Sequence, residues 1–235
     1  MRKTIGGTAY RLWMASAKQL SNLGERWGVD WLIYNPLVFV YYDRKARASA
    51  PGVFRSFERL FPTIQRLADV GAGSGAFAAC ALERGYDVVA CEHSAFGRMM
   101  ARARGVKARR FDLTDVPPAQ LGSTMDLAYC FEVAEHVAPA LGDRLVAFLA
   151  ELASWVVFTA AQPGQGGTGH VNERPPAYWI GRFEERGMRY RHDLTTQLAD
   201  AFRQEQLPAW WLAPNVMVFE RIEQRANMAA EVNES

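Results

Sequence analysis

Asp69-Val70-Gly71-Ala72-Gly73-Ser74-Gly75-Ala76-Phe77 follows an apolar stretch and opens a helix-like segment. A glycine-rich turn therefore sits where a strand hands over to a helix. Glycines at alternate positions let such a turn tighten and let its backbone approach a ligand. The helix starting near Ala76 presents unpaired N–H groups, a ready seat for a carboxylate or phosphate. Read as Gly71-x-Gly73-x-x-Ala76, the turn fits the dinucleotide fingerprint; read as Asp69-x-Gly71-x-Gly73-x-Gly75, it fits a second nucleoside-binding pattern. The residues around it decide between the two.

From about residue 64 onward, short apolar runs alternate with helix-like segments, the pattern of a parallel sheet covered by helices. The spacing predicts strands at 66–70, 87–92, 107–111, 125–131 and 155–160, with two more near 188–192 and 215–221. Glu92 ends the second of these, where a carboxylate can accept hydrogen bonds from both hydroxyls of a ribose. Asp112 ends the third, where an acid can accept from the exocyclic amine of adenine while the Leu113 backbone N–H meets the ring. Asp69 lies beneath the glycine turn. Its carboxylate would repel a dinucleotide pyrophosphate but suits the ammonium on the methionine portion of S-adenosylmethionine (SAM).

Asp69 to Gly75, Glu92, Asp112 and the segment Asp126-Leu-Ala-Tyr-Cys-Phe-Glu132-Val-Ala-Glu135-His136-Val together make residues 66–160 resemble the SAM-binding core of the class I methyltransferases. The last segment is similar to the Glu-Val-x-Glu-His-Val sequence of ubiquinone-biosynthesis-type O-methyltransferases. The resemblance implies an α/β, Rossmann-like, mostly parallel seven-stranded sheet with helices on both faces and an antiparallel last strand. It also implies SAM as cofactor, with Asp69, Gly71, Ala72, Gly73, Gly75, Glu92, Asp112 and Leu113 around it. Residues 1–60 are expected to form an N-terminal helical cap or lid, 61–222 the methyltransferase core and 223–235 a polar tail. The cap holds Tyr10, Trp13, Trp27, Trp31, Tyr34, Phe39, Tyr41 and Tyr42, which can pack on the sheet or wall an acceptor pocket.

The 235 residues, 49% of them hydrophobic, can bury a full core, and the length favours one elaborated domain. A net charge of +2 does not demand a polyanionic partner, so nucleic acid is not expected. The densest basic cluster, Arg98, Arg102, Arg104, Lys107, Arg109 and Arg110, reads as a solvated helix face. Cys80, Cys91 and Cys130 are odd in number and set in apolar segments, which suggests buried thiols in a reducing compartment. Without a signal-like or membrane-spanning run, a cytoplasmic protein with a small-molecule acceptor is expected.

Methyl transfer from a sulfonium is an in-line displacement, so alignment and water exclusion matter most, and a base is needed only for a protonated acceptor. Of the four histidines, His93 and His192 read as surface residues. His136 and His170 follow the fourth and fifth strands, whose ends flank the methyl group in this architecture, and they are the candidate bases. Glu132, Glu135 and His136 have helical i, i+3, i+4 spacing; with His170 they make a candidate four-ligand site for Mg²⁺, Mn²⁺ or Zn²⁺. A comparable Glu-x-x-Glu-His plus a distant His occurs in small-RNA 2′-O-methyltransferases.

Residues 162–176 carry four glycines and three prolines, a loop too irregular for an element and of a kind that tends to be functional. Gln162, His170, Asn172 and Arg174 are its candidate acceptor contacts, while Tyr178, Trp179 and Phe183 read as helix packing and Trp210-Trp211 as packing of the last hairpin. The expected activity is O-methylation of a small metabolite or sugar-like acceptor. RNA ribose methylation, N-methylation of a small molecule and NAD(P)-dependent oxidoreduction are the alternatives.

Overall fold

The computed structural model of the chain describes residues 16, 19–20, 36–113 and 125–222. The elements run α1 (Pro36–Leu60), β1 (Arg66–Val70), α2 (Ala76–Glu83), β2 (Asp87–Glu92), α3 (Ala95–Ala103), β3 (Arg109–Arg110), β4 (Met125–Phe131), a 3-10 turn (Ala134–His136), α4 (Pro139–Leu152), β5 (Ala153–Thr159), α5 (Pro176–Glu184), β6 (Met188–Tyr190), α6 (His192–Gln204), α7 (Leu212–Asn215) and β7 (Met217–Arg221). Tyr10, Trp13, Trp27, Trp31 and Tyr34 of the expected cap, and the expected tail, lie outside the described residues.

Seven strands form one sheet in the order β3-β2-β1-β4-β5-β7-β6. β3 through β5 pair in parallel, while β7 runs antiparallel to both β5 and β6. The order reverses between β1 and β4, and in a sheet of this kind the crevice beyond the carboxyl ends at such a reversal is where ligands bind. The expected fold class is the one observed. The third strand is shorter than expected, two residues in place of 107–111, because this edge is built from exposed Arg109 and Arg110, with little apolar surface to extend the pairing.

Side chains alternate across each strand and so feed two separate cores. On one face Ala68, Val70, Ala128, Cys130, Val156 and Phe158 pack with α4 and α5, through Leu145, Leu149, Trp179 and Phe183. On the other face Leu67, Leu127, Tyr129 and Val157 pack with Val53, Phe54 and Phe57 of α1, Leu198 and Phe202 of α6, and Leu212 of α7. At roughly 1.5–3 kcal/mol for each large apolar side chain taken out of water, the three α1 side chains alone hold that helix to the sheet. Trp179 and Phe183 are wholly buried, as helix packing requires, and the three cysteines are free thiols. None of the described helices is long and apolar enough to cross a membrane.

Candidate active site

β1 ends at Val70, and Gly71, Gly73 and Gly75 then adopt left-handed φ values of 82°, 54° and 73°. The Gly71 and Ala72 amides both donate to the Cys91 carbonyl, 2.9 Å away in each case. A Cβ on Gly71 would lie 2.3 Å from Val133 Cγ2, and one on Gly75 would lie 2.7 Å from Ala101 Cβ, so these two glycines seat the turn on its neighbours. Gly73 is different, because a Cβ there would meet nothing within 4 Å. The half-buried turn at Gly73 faces open space that a ligand can enter.

Glu92, buried at the end of β2, ties this turn together. Its Oε2 accepts from the Gly73 amide at 2.7 Å and its Oε1 from the Ser94 amide at 2.6 Å. Burial pushes the Glu92 pKa up, and the two amides oppose the rise. Each carboxylate oxygen keeps a further lone pair for a ribose hydroxyl. Sequence reading missed Gly97, where a Cβ would lie 2.8 Å from the Gly73 carbonyl and 2.9 Å from Glu92 Cγ; only glycine lets α3 come this close.

Asp112 follows β3, with its Oδ2 3.7 Å from Arg110 Nη2 and 3.9 Å from His93 Nδ1. Leu113 packs partly buried against the core. Asp69 pairs in register with Tyr129 of β4 and points into the same face. It is 4% exposed, and its Oδ2 makes no hydrogen bond among the described residues. Burial pushes its pKa to about 7, against the opposing pull of the Tyr129 hydroxyl and the Ala78 amide. A buried carboxylate oxygen without a donor is costly, and a ligand ammonium is one remedy.

The second half of the site lies beyond β4 and β5. Glu132 does not continue a helix as its spacing suggests. Its φ is +54°, a left-handed conformation that costs a non-glycine residue about 1–2 kcal/mol. The Thr159 carbonyl and hydroxyl hold the Glu132 amide at 3.1 and 3.0 Å. Only then does the 3-10 turn begin, so Glu135 and His136 leave the backbone in directions of their own. Glu135 is wholly buried and neither carboxylate oxygen has a hydrogen-bond partner among the described residues. Burial, with the Glu132 charge beside it, pushes the Glu135 pKa well up.

His136 and His170 meet edge to face, ring centroids 4.9 Å apart. Burial, and after it the nearby His170, lower the His136 pKa to about 4. Its Nδ1 lies 3.3 Å from the Gly169 carbonyl, which can only accept, so the proton is assigned to Nδ1. His170 Nδ1 lies 2.8 Å from Glu173 Oε1. A ligand atom from each of Glu135, His136 and His170 falls within 4.8 Å of the others, an arrangement that can hold a cation. Glu132 stands outside this trio, because Asn215 Nδ2 donates to its two oxygens at 3.1 and 3.3 Å and Gln165 Nε2 approaches at 3.5 Å.

Sequence reading missed two residues of this half. Glu173 accepts from the Gly164 and Gly166 amides at 2.8 and 2.9 Å as well as orienting His170, so it sets the shape of the glycine-rich loop. Asn215 reaches Glu132 because antiparallel β7 starts at the carboxyl end of β5, where Met217 pairs with Phe158. Conversely, Asn172 is buried on the Ala134 carbonyl, and Arg174 bonds Asn172 and covers the Tyr178 ring. Gln162 Nε2 donates to the Pro214 carbonyl at 3.0 Å. Arg98 and Arg104 correct the solvated-face reading: Arg98 binds the carbonyls of Glu92 and His93, and Arg104 pairs with Asp43.

Residues 68–156 match a family model described as a methyltransferase domain. No curated protein matches the chain. Among solved structures, an amino pentose methyltransferase from Micromonospora echinaspora involved in calicheamicin biosynthesis, with SAM bound, is 17% identical; the match covers 78% of this chain and 95% of that one, with a TM-score of 0.57. A sugar N-methyltransferase from Streptoalloteichus is 18% identical over 75% and 87% of the two chains, with a TM-score of 0.56. A TehB-like SAM-dependent methyltransferase from Corynebacterium glutamicum is 15% identical over 80% and 100%, with a TM-score of 0.58. At these identities the likeness speaks to the fold. The domain match spans Asp69, Glu92 and Asp112.

Proposed function

We propose that this protein transfers the methyl group of SAM to a hydroxyl oxygen of a small, sugar-like acceptor at the carboxyl edge of β1, β4 and β5. When bound, SAM supplies an electrophilic methyl on a sulfonium with a neutral thioether as leaving group. Asp69 would face its ammonium, Glu92 its ribose hydroxyls, and Asp112 with Leu113 its adenine, over the turn of Gly71, Ala72, Gly73 and Gly75. The open side of Gly73 and the donorless Asp69 Oδ2 fit such a ligand. Of the N-terminal segment, the described helix α1 serves as a cap on the core of 61–222, and the free thiols suit a reducing, cytoplasmic setting.

The observation that carries the acceptor half is Glu135, buried beside two imidazoles with no donor on either oxygen. We assign Glu135, His136 and His170 as ligands of a divalent cation, with Glu132 behind them. When bound, such an ion lowers the pKa of a coordinated hydroxyl. Burial keeps His136 neutral, and the Glu173 carboxylate fixes the orientation of the His170 ring. Where His136 and His170 act as bases in place of ligands, the acceptor's hydroxyl proton would pass to one of the two imidazoles. Metal analysis of the purified protein and turnover before and after chelation test this assignment. Metal-free protein whose turnover chelators leave untouched refutes it.

A second reading has one observation in its favour. Tyr42 stands near Glu132 and Glu135 and meets Trp211 edge to face, centroids 6.0 Å apart, so carboxylates and aromatic rings together suit an amine. Two of the structural neighbours are an amino pentose methyltransferase and a sugar N-methyltransferase. Amino sugars methylated on nitrogen by metal-free protein would establish that reading in place of the first.

A further inference from the structure

The donor turn is gripped from outside the domain match. Ser74, its crest, is 7% exposed, and its Oγ donates to Asp43 Oδ1 of α1 at 2.7 Å. Arg104, the residue closing α3, reaches the same Oδ1 with Nη2 at 2.7 Å. Its other arm, Nη1, donates to the Ser74 carbonyl at 2.8 Å. One buried carboxylate oxygen and one guanidinium therefore hold both the side chain and the main chain of Ser74.

The same side of α1 carries a second tie. Phe39 is four residues before Asp43, on the same helix face, and its ring meets Phe96 at the start of α3 edge to face, centroids 5.4 Å apart. α1 thus lies along the two elements, the turn and α3, that carry Gly73 and Glu92. Burying an ion pair costs desolvation energy, and such a pair need not add to stability. What it supplies here is order. A turn with three left-handed glycines is soft, and freezing it on ligand binding costs entropy unless it is held beforehand.

We propose that Asp43 is a positioning residue for the methyl donor: through Ser74 and Arg104 it holds the Gly71–Gly75 turn in its binding shape, and so makes donor affinity depend on α1. The proposal rests on the reading of that turn as a SAM site. Its neighbour Tyr42 stands on the acceptor side, near Thr168, Glu132 and Glu135, so the same helix turn that steadies the donor also places an acceptor wall.

The test is calorimetric titration of SAM and of its demethylated product into full-length wild type, Asp43→Ala, Asp43→Asn, Ser74→Ala and the Asp43→Ala/Ser74→Ala double variant, well below each unfolding temperature. Asp43→Ala is expected to weaken both ligands about ten-fold or more, Asp43→Asn by less, and the double variant no further than Asp43→Ala, since the two residues act as one unit. A purely structural role would lower the unfolding temperature yet leave every dissociation constant within about two-fold of wild type, and that result overturns the proposal. If Asp43→Ala does not fold, Asp43→Asn and Ser74→Ala decide by the same criterion. Wild-type protein that binds neither ligand refutes the donor reading itself, which is a different outcome from wild type and variants binding alike.

Discussion

The His136 and His170 rings, one after β4 and one in the loop after β5, stand edge to face with centroids 4.9 Å apart. Two adjacent strand ends bring them together, and each ring has its Nδ1 occupied, His136 by the Gly169 carbonyl and His170 by Glu173. Two imidazoles so oriented next to a buried carboxylate behave as one unit. His136→Ala, His170→Ala and Glu135→Gln should therefore each abolish metal retention and lower kcat by about 10²–10⁴-fold. SAM affinity should stay within about two-fold of wild type. Steady-state kinetics, metal analysis and calorimetry on the same preparations check this.

Asp69 makes donor binding pH-dependent. Its folded pKa of about 7 lies above the ordinary 3.8, so the unliganded protein takes up a proton on folding between those values. Its contribution to stability is greatest below pH 4, declines as pH rises towards 7 and then levels off, by an amount on the order of 4 kcal/mol. A ligand ammonium favours the ionised form. SAM binding should then release protons below pH 7 and weaken as pH falls further. Titrations in two buffers of different ionisation enthalpy measure the protons, and Asp69→Asn should remove both the release and the slope.

His136 titrates the other way. With its pKa lowered to about 4, its contribution to stability is fully present above pH 6.5 and is lost as pH falls to about 4, because the buried ring must then accept charge. Acid unfolding of His136→Gln should lack that component. Denaturant midpoints between pH 4 and 7 report it.

The three glycines of the turn should separate by cause. Gly75→Ala meets Ala101 at 2.7 Å and should lower stability by more than about 2 kcal/mol. Gly73→Ala meets nothing and should cost only about 1 kcal/mol for its positive φ, while abolishing donor binding. Thermal unfolding beside calorimetry distinguishes them.

Glu132→Gly relieves the left-handed strain and removes a half-buried carboxylate, so it should leave stability unchanged or raised by about 1 kcal/mol while reducing kcat. A fall in stability with kcat intact would mean that Glu132 serves the fold instead.

Much of this site was legible because its parts sit at strand ends. A strand-end position fixes where Asp69 and Glu92 go before any packing is known, and it brings the segments that carry His136 and His170 to the same edge. Asp43 carried no such signal: an acid in an amphipathic helix gives no hint that a serine and an arginine far along the chain will bury it. Asn215 was equally hidden, since its arrival depends on β7 inserting antiparallel between β5 and β6. Glu173 could have been found, because His170-x-x-Glu173 is a contact spacing, but irregular loops give no rule for which such pairs close. The helical spacing of Glu132, Glu135 and His136 misled for a local reason, the left-handed backbone at Glu132.

The central claim is that the turn after β1 holds SAM. Calorimetric titration of the purified chain with SAM, its demethylated product, NAD⁺ and NADPH tests it most directly. Saturable binding of the first two, lost in Asp69→Ala and Gly73→Ala and absent for both nicotinamide compounds, is the predicted result. Binding of a nicotinamide dinucleotide with indifference to SAM contradicts the account.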